Sequence, residues 1–371
     1  MLLKKISLIN YRNYKSIDID LSNKLNIFIG DNAQGKTNIL ESIYVLSLSK
    51  SFNTNNDKNL IMFGQNEARI KGNLVVNNKS KRLSIAINST CKKMYINNKI
   101  IKKVSDYVLN LKVITFGPSD LELIKNTPSG RRKYLNIAIS QLDDKYFNFI
   151  NGFNYVLKTR NEYLKQIRDK VVKIDNCYLD ILNDKYVDFC IKIYVKRRNY
   201  IDMINDRISN IYKDITGCEG FIVKYSSLFD NMDSNNYREC LFNKLNSNLD
   251  KEISYGNSVY GVHRDDFSFY LNDKNLLEYG SQGQQRAAIL SLKLAELDIF
   301  REYLYDEPIL LLDDLFSELD MSKQNNIIKK LDKNVQTIIT TTDLNKIENS
   351  LLKDAKIYMI KEGEVLDNYG K

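Results

Sequence analysis

Near the start of the chain, Ile17, Ile19 and Leu21 alternate with Asp18 and Asp20, the period of a half-buried strand. Leu25, Ile27 and Ile29 repeat that period and run into Gly30. After Thr37 the spacing changes: Ile39, Leu40, Ile43 and Tyr44 recur as on one face of a helix, so the stretch from Gly30 to Thr37 joins a strand to a helix. From about residue 60 to 116 the pattern predicts short strands, with turns at Asn77-Asn78 and Asn97-Asn98. It changes again near Pro118 and Pro128. From Arg131 to about Tyr212 no proline occurs, and Tyr134, Leu135, Ala138, Ile139 and Leu142, then Leu179, Leu182, Tyr186, Phe189 and Ile193, fall at helical spacing. This predicts a helical insertion too short for a long coiled-coil arm. A short strand (Phe221 to Tyr225), a further helix, and a strand through Phe267, Phe269 and Leu271 follow; the C-terminal part reads helix, strand, helix, strand. The expectation is an α/β chain whose first lobe is split: residues 1–125 and 256–371 form it, around a mainly helical second lobe over 126–255.

The strand-to-helix loop, GDNAQGKT, fits G-x-x-x-x-G-K-[ST]. Gly30 and Gly35 let the backbone curl so that successive N–H groups, through Asp31, Asn32, Ala33 and Gln34, point at phosphates. The helix N-terminus adds its positive dipole end. Lys36 would reach the β- and γ-phosphates, and Thr37 would offer its hydroxyl to Mg²⁺. The complementary half is Ile309-Leu310-Leu311-Leu312-Asp313-Asp314, four apolar residues suited to a central parallel strand and ending in acid. At the C-terminal end of such a strand Asp313 would hold Mg²⁺, and Asp314 would orient or deprotonate an attacking water. Lys36, Asp313 and Asp314 are therefore the candidate catalytic residues, with ATP and Mg²⁺ as cofactors.

Composition narrows the partners. The formal charge is +9, which suits a polyanion. Two basic clusters, Arg131-Arg132-Lys133 and Lys196-Arg197-Arg198, lie in the helical insertion near Tyr134, Tyr194 and Tyr200; they are candidate DNA contacts or solvated helix faces. No base-reading motif accompanies them, so DNA binding would be sequence-independent and salt-sensitive. The five cysteines form no CxxC pair and read as reduced thiols of a cytoplasmic protein. No apolar run is long enough for a bilayer, and MLLKKISLIN lacks a signal-peptide core. His263 is the single histidine, which excludes a His-based metal site; beside Arg264, Asp265 and Asp266 it reads as an architectural joint.

A further motif specifies the class. Ser281-Gln282-Gly283-Gln284-Gln285-Arg286 opens a helix with Leu290, Leu294 and Leu297 on one face, and it resembles the signature motif of ABC-type ATPases. Ser281, Gly283 and Gln284 would form a second phosphate cradle at a helix N-terminus. Two cradles in one chain make sense if each nucleotide lies between two subunits of a two-fold dimer. Ser317-Glu318-Leu319-Asp320 resembles the D-loop at such an interface. The Val335 to Ile339 strand ends in Thr340-Thr341-Thr342-Asp343, where ABC proteins often carry a γ-phosphate-sensing histidine; its absence implies slow hydrolysis.

The whole set resembles the RecF family, the short-armed bacterial relatives of SMC and Rad50 heads. The matching stretches, in order, are Asn10 to Tyr14, Gly30 to Thr37, Phe116 to Leu121, Pro128 to Lys133, Gly261 to Asp266, Ser281 to Arg286 and Leu310 to Asp320. The resemblance implies a mixed sheet with central parallel strands and an inserted helical lobe. It implies an ATP-dependent homodimer on DNA, slow DNA-stimulated ATP hydrolysis, and help in placing recombinase at single-stranded gaps with RecR and RecO. Arg12, in the turn between the first two strands, would approach nucleotide or DNA by that resemblance; the residues alone allow a surface arginine. Val262 stands where the family usually has proline, and no Q-loop glutamine is evident between Lys112 and Leu123. A transporter ATPase subunit shares the ABC motifs but normally carries the missing histidine. A GTPase should show N-K-x-D, and Asn345-Lys346-Ile347-Glu348 ends in the wrong residue.

Overall fold

The computed structural model describes residues 1–125, 127–229, 232–304, 307–314, 335–347 and 352–367. The chain forms two compact units, Met1–Asp120 with Lys293–Lys371, and Leu121–Leu292.

The first unit begins with β1 (Leu2–Tyr11), β2 (Tyr14–Asp20), β3 (Leu25–Ile29) and α1 (Lys36–Leu48), then β4 (Glu67–Val76), β5 (Lys79–Asn88), β6 (Lys92–Ile96), β7 (Lys99–Ile101), α2 (Val104–Val108) and β8 (Val113–Phe116). Six strands form one antiparallel sheet in the order β2-β1-β4-β5-β6-β7. Its hairpins turn where the asparagine pairs predict. Asn77 and Asn78 (φ 48° and 59°) and Asn97 and Asn98 (φ 48° and 66°) all sit in the left-handed region that a two-residue type I′ turn demands. The strands are longer than expected: β4 and β5 pair continuously from Glu67↔Asn88 to Val76↔Lys79.

After the second unit the chain returns as β12 (Ile309–Asp313), β13 (Thr337–Thr341), β14 (Lys356–Lys361) and β15 (Glu364–Asp367). These join a second sheet in the order β15-β14-β3-β13-β12-β8, parallel except at the β14–β15 edge. α1 packs against strands of both sheets. That explains why its buried residues run all round it, Ile39, Leu40, Ile43, Tyr44, Val45 and Leu46 among them, rather than along one stripe. Gly72 of β4 admits the helix: a Cβ there would lie 2.4 Å from Leu46 Cδ2.

The second unit contains α3 (Glu122–Lys125), α4 (Pro128–Leu142), α5 (Asp144–Arg168), α6 (Asn176–Thr216), β9 (Phe221–Ser226), α7 (Ser234–Ser247), α8 (Leu249–Tyr255), β10 (Asp266–Leu271), β11 (Lys274–Asn275) and α9 (Leu276–Tyr279); α10 (Gln282–Leu304) carries the chain out of it. The expected boundary at residue 255 therefore moves to Leu292. The physical reason is pairing. β10 hydrogen-bonds to β9 from Asp266↔Ser226 to Leu271↔Phe221, and Asp266 receives two bonds from Arg131 of α4.

The core of this unit holds a satisfied charge. Arg160, fully buried, donates to Asn183 Oδ1 (2.7 Å), Ser258 Oγ (2.7 Å) and Glu252 Oε2 (2.6 Å). A buried ion pair persists when its remaining hydrogen bonds are met, as here. His263 lies beside this network, with Nδ1 3.2 Å from Tyr186 Oη and Nε2 3.1 Å from Ser258 O. Burial pushes its pKa down to about 4, and nearby arginines add to the effect against the Ser258 carbonyl. The folded state thus favours neutral imidazole, so its stabilisation is full above the unfolded value near 6.5 and is lost as pH falls toward the folded one. Between pH 6.5 and 5 the unfolding free energy should fall by about 2 kcal/mol from this group. Denaturant unfolding of wild type and His263→Gln checks this, because the chain has one histidine. An equal slope in both proteins would refute it.

Candidate nucleotide site

Parallel register gathers the site within the first unit. The loop 30–35 leaves the C-terminal end of β3, whose neighbours are β13 and β14. Pairing of Thr341 with Ile29 and of Asp313 with Thr340 places the ends of β3, β13 and β12 side by side. Asp313 therefore meets the first turn of α1: Thr37 Oγ1 donates to Asp313 Oδ1 at 2.9 Å, across 276 residues of sequence. Thr340 Oγ1 donates to the same oxygen at 2.7 Å and accepts from the Asp314 N–H at 3.0 Å. The cleft above these groups holds about 260 Å³ and is lined by Asn32, Gly35, Lys36, Thr37, Asp313 and Asp314, with Pro118 and Thr340 at its side.

Both glycines have a steric reason. A Cβ on Gly35, at φ 113°, would come within 2.5 Å of Asn13 Nδ2 and 2.8 Å of Tyr14 Oη. A Cβ on Gly30 would meet the Ile360 carbonyl at 2.3 Å. The β1–β2 hairpin braces the loop from beneath. Asn13 Nδ2 donates to Gln34 O (3.0 Å), Tyr14 Oη donates to Gly35 O (3.0 Å), and Asn38 Nδ2 donates to Asn13 Oδ1 (2.8 Å). With these carbonyls tied down toward the hairpin, the loop can turn N–H groups to the cleft. Asn13 and Tyr14 lie in a stretch that the sequence marks, but their bracing role is not visible there, because it needs the hairpin folded under the loop.

The charges are arranged for a polyanion and a cation. Lys36 Nζ donates to Gly30 O (2.6 Å) and Asp31 O (2.7 Å). Burial lowers its pKa, against the pull of Asp314, Asp313 and Asp31. Burial raises that of Asp313, against the hydroxyls of Thr340 and Thr37. One carboxylate and one hydroxyl at the mouth of a phosphate loop are hard oxygen donors that fit Mg²⁺, which binds through few protein groups plus phosphate oxygens and water. Among the described residues, no group of three or more His, Cys, Asp or Glu forms an all-protein metal cage.

Arg12 faces inward from the hairpin. Its guanidinium pairs with buried Glu41 of α1, Nε to Oε2 at 2.8 Å and Nη2 to Oε1 at 2.7 Å, while Nη1 donates to Asn59 O at 2.8 Å. Tyr11 and Ser51 also donate to Glu41. Arg12 thus anchors the hairpin to α1.

In the second unit Ser281 and Gln284 make a reciprocal capping box at α10: Gln284 N–H to Ser281 Oγ (3.3 Å) and Ser281 N–H to Gln284 Oε1 (2.9 Å). Ser281 and Gly283 are exposed, and Gln284 is half-buried. Asp320, with Ser317, Glu318 and Leu319, lies outside the described residues.

The basic clusters require a correction. Arg131 is buried, with Nε and Nη2 on the Asp266 carboxylate at 2.6 and 2.8 Å. Arg197, 2% exposed, donates to Val262 O (2.7 Å) and Tyr146 Oη (3.1 Å). These two hold the unit together and are not available to a polyanion. The Val262 carbonyl that Arg197 grips lies at the position where proline was expected. Arg132 is half-buried and donates to Asp265 O, Lys196 pairs with Asp143 at 2.6 Å, Arg198 is half-buried, and Lys133 is exposed.

The pattern of the RecF/RecN/SMC N terminal domain family matches residues 2–365. The DNA replication and repair protein RecF of Listeria welshimeri is 38% identical over 368 residues, covering 98% of this chain and 99% of that protein. The chain belongs to the RecF family. RecF of Staphylococcus carnosus is also 38% identical, over 370 residues that cover 99% of this chain and all of that protein. The solved structure of the recombination mediator protein RecF-ATP in the RecFOR pathway has a TM-score of 0.92 at 31% identity, covering 99% of this chain and 98% of that one. The Smc head domain from Pyrococcus furiosus, at 13% identity and TM-score 0.56, shares the fold alone. The α/β, ABC-type head fold expected for a RecF chain is the one observed. No helix among the described residues is long and apolar enough to cross a membrane.

Proposed function

We propose that this RecF-family chain is a DNA repair and replication ATPase that takes Mg·ATP in the Gly30–Thr37 cleft. The observation that carries the reading is the 2.9 Å contact of Thr37 with Asp313 beside Lys36, which joins a phosphate loop to a metal-binding acid. The relatives' names and the RecF-ATP structure agree with it. In this reading Gly30 to Thr37 bind the phosphates, Thr37 and Asp313 hold Mg²⁺, and Asp314 orients the attacking water. The cation, when bound, neutralises charge developing on the phosphates. Lys36 donates to the same oxygens. A second phosphate cradle read at Ser281 supports a nucleotide shared between two copies. Ser281, Gly283, Gln284 and Asp320 of a second copy would complete the site.

The ATP-bound dimer would close on DNA without reading sequence and, with RecR and RecO, help recombinase onto single-stranded gaps. Lys133, Lys196, Arg198 and Arg132 remain the candidate phosphate contacts. Hydrolysis is expected to be slow, with no histidine beside Thr340, and faster with DNA. Steady-state ATPase assays with and without DNA, across a salt series, test this. Stimulation that fades with salt is expected; rapid turnover indifferent to DNA would contradict it.

A further inference from the structure

Lys293 of α10 is a buried cation that the nucleotide chemistry does not use. Its ammonium lies 3.4 Å from Asp120 Oδ1 and 3.8 Å from Glu296 Oε2, and its side chain is 6% exposed. Burial works against the charge, yet Asp120 and Glu296 hold its pKa above the ordinary lysine value. Taking a lysine and two carboxylates out of water gains little stability, and an apolar side chain of similar volume would fill the space without that cost. The charge therefore calls for a second reason.

Its partners supply one. Asp120 uses its other oxygen, Oδ2, to accept from the Gly117 N–H at 2.8 Å, and its own N–H donates to Gly117 O at 3.0 Å. Gly117 follows β8, whose Phe116 pairs with Leu312 of β12, so it stands beside the acid that ends β12: a Cβ on Gly117 would lie 3.4 Å from Asp313 Cβ. Pro118, the next residue, lines the phosphate cleft with Lys36 and Asp313. One carboxylate thus ties the turn at the cleft wall to Lys293. Tyr44 of α1, the helix that leaves the phosphate loop, belongs to the same cluster, since burial and then the charges of Asp120 and Glu296 raise its pKa. Lys293 itself sits roughly three turns beyond the Ser281–Gln284 capping box that opens α10. Between Lys112 and Leu123 no glutamine offers such a link.

We infer that Lys293 is a positioning residue for the ATP-driven step: through Asp120 and Gly117 it locks the cleft wall to α10, so that nucleotide bound against Pro118 and Asp313 sets the Ser281 end of that helix. This rests on the reading of GDNAQGKT as half of a shared ATP site and adds the strut that ties the two cradles of one chain.

Asp120→Asn keeps the side chain's shape and an oxygen for the Gly117 N–H but removes the charge that faces Lys293. The variant should bind Mg·ATP within about twofold of wild type, while ATP-dependent dimerisation and turnover fall about tenfold or more. Lys293→Met should behave alike, and the double variant should be no worse than either single change, because all three lose one contact. Lys293→Arg keeps the cation and should recover most of the dimerisation. Nucleotide titration and solution mass read these quantities at a temperature where circular dichroism shows each variant folded; Asp120→Asn, the milder change, decides if Lys293→Met does not fold. Asp120→Asn that dimerises with ATP as wild type does would overturn the inference. So would ATP affinity that falls in step with dimerisation, the mark of a damaged cleft, or losses that add in the double variant. Wild-type protein that binds ATP and never dimerises would sink the shared-site reading itself, and this inference with it.

Discussion

Replacing Lys36 by arginine should lower the ATP turnover rate about 100-fold or more while changing ATP affinity less than tenfold. Lys36 ends in a compact ammonium that reaches two backbone oxygens, Gly30 O and Asp31 O, at 2.6 and 2.7 Å from a largely buried stem. Arginine keeps the positive charge that attracts phosphates. Its planar fork is larger, however, and cannot place a single point donor among Gly35, Thr37, Asp313 and Asp314, the groups that share the cleft. Ground-state attraction therefore survives better than the transition-state contact. Equilibrium nucleotide binding and single-turnover hydrolysis separate the two quantities. Normal turnover in Lys36→Arg would remove Lys36 from the chemistry.

Ser281→Arg should leave nucleotide binding by the monomer intact and abolish ATP-dependent dimerisation. The substitution fills an exposed cradle in the second unit, while the phosphate loop belongs to the first. It also removes the capping box with Gln284, so a loss of about 1 kcal/mol in stability should accompany it. Ser281→Asn separates the two effects, since asparagine caps a helix well without the bulk of arginine. A Ser281→Arg chain that dimerises normally would leave Ser281 as a helix cap and nothing more.

The site's two halves were readable because each is local. Strand, loop and helix around Gly30 to Thr37 lie within a few residues of one another, and so do Ile309 to Asp314. What joins them, Thr37 on Asp313, follows once β3 and β12 are placed in one parallel sheet with β13 between them. The interior of the second unit was not readable. A run such as Arg131-Arg132-Lys133 looks the same whether solvated or buried, and what decides is Asp266, 135 residues on. Arg197 is settled by the Val262 carbonyl, 65 residues away. The boundary at 255 failed for the same reason: the β9–β10 pairing that keeps residues 266–271 in the second unit spans a long stretch of helix and loop. Thr340 was legible as a place in the sequence, at the end of an apolar strand, but its bond to Asp313 was not. The roles of Asn13 and Tyr14 as braces, and of Arg12 as a partner of Glu41, emerge only when the hairpin lies against α1.

The central claim is that GDNAQGKT is half of a composite site, with ATP closing two chains together. The solution mass of the purified protein, with and without Mg·ATP, tests it most directly. A monomer that becomes a dimer only with Mg·ATP is the expected result. A chain that binds ATP and stays monomeric at every protein concentration tried would contradict the claim.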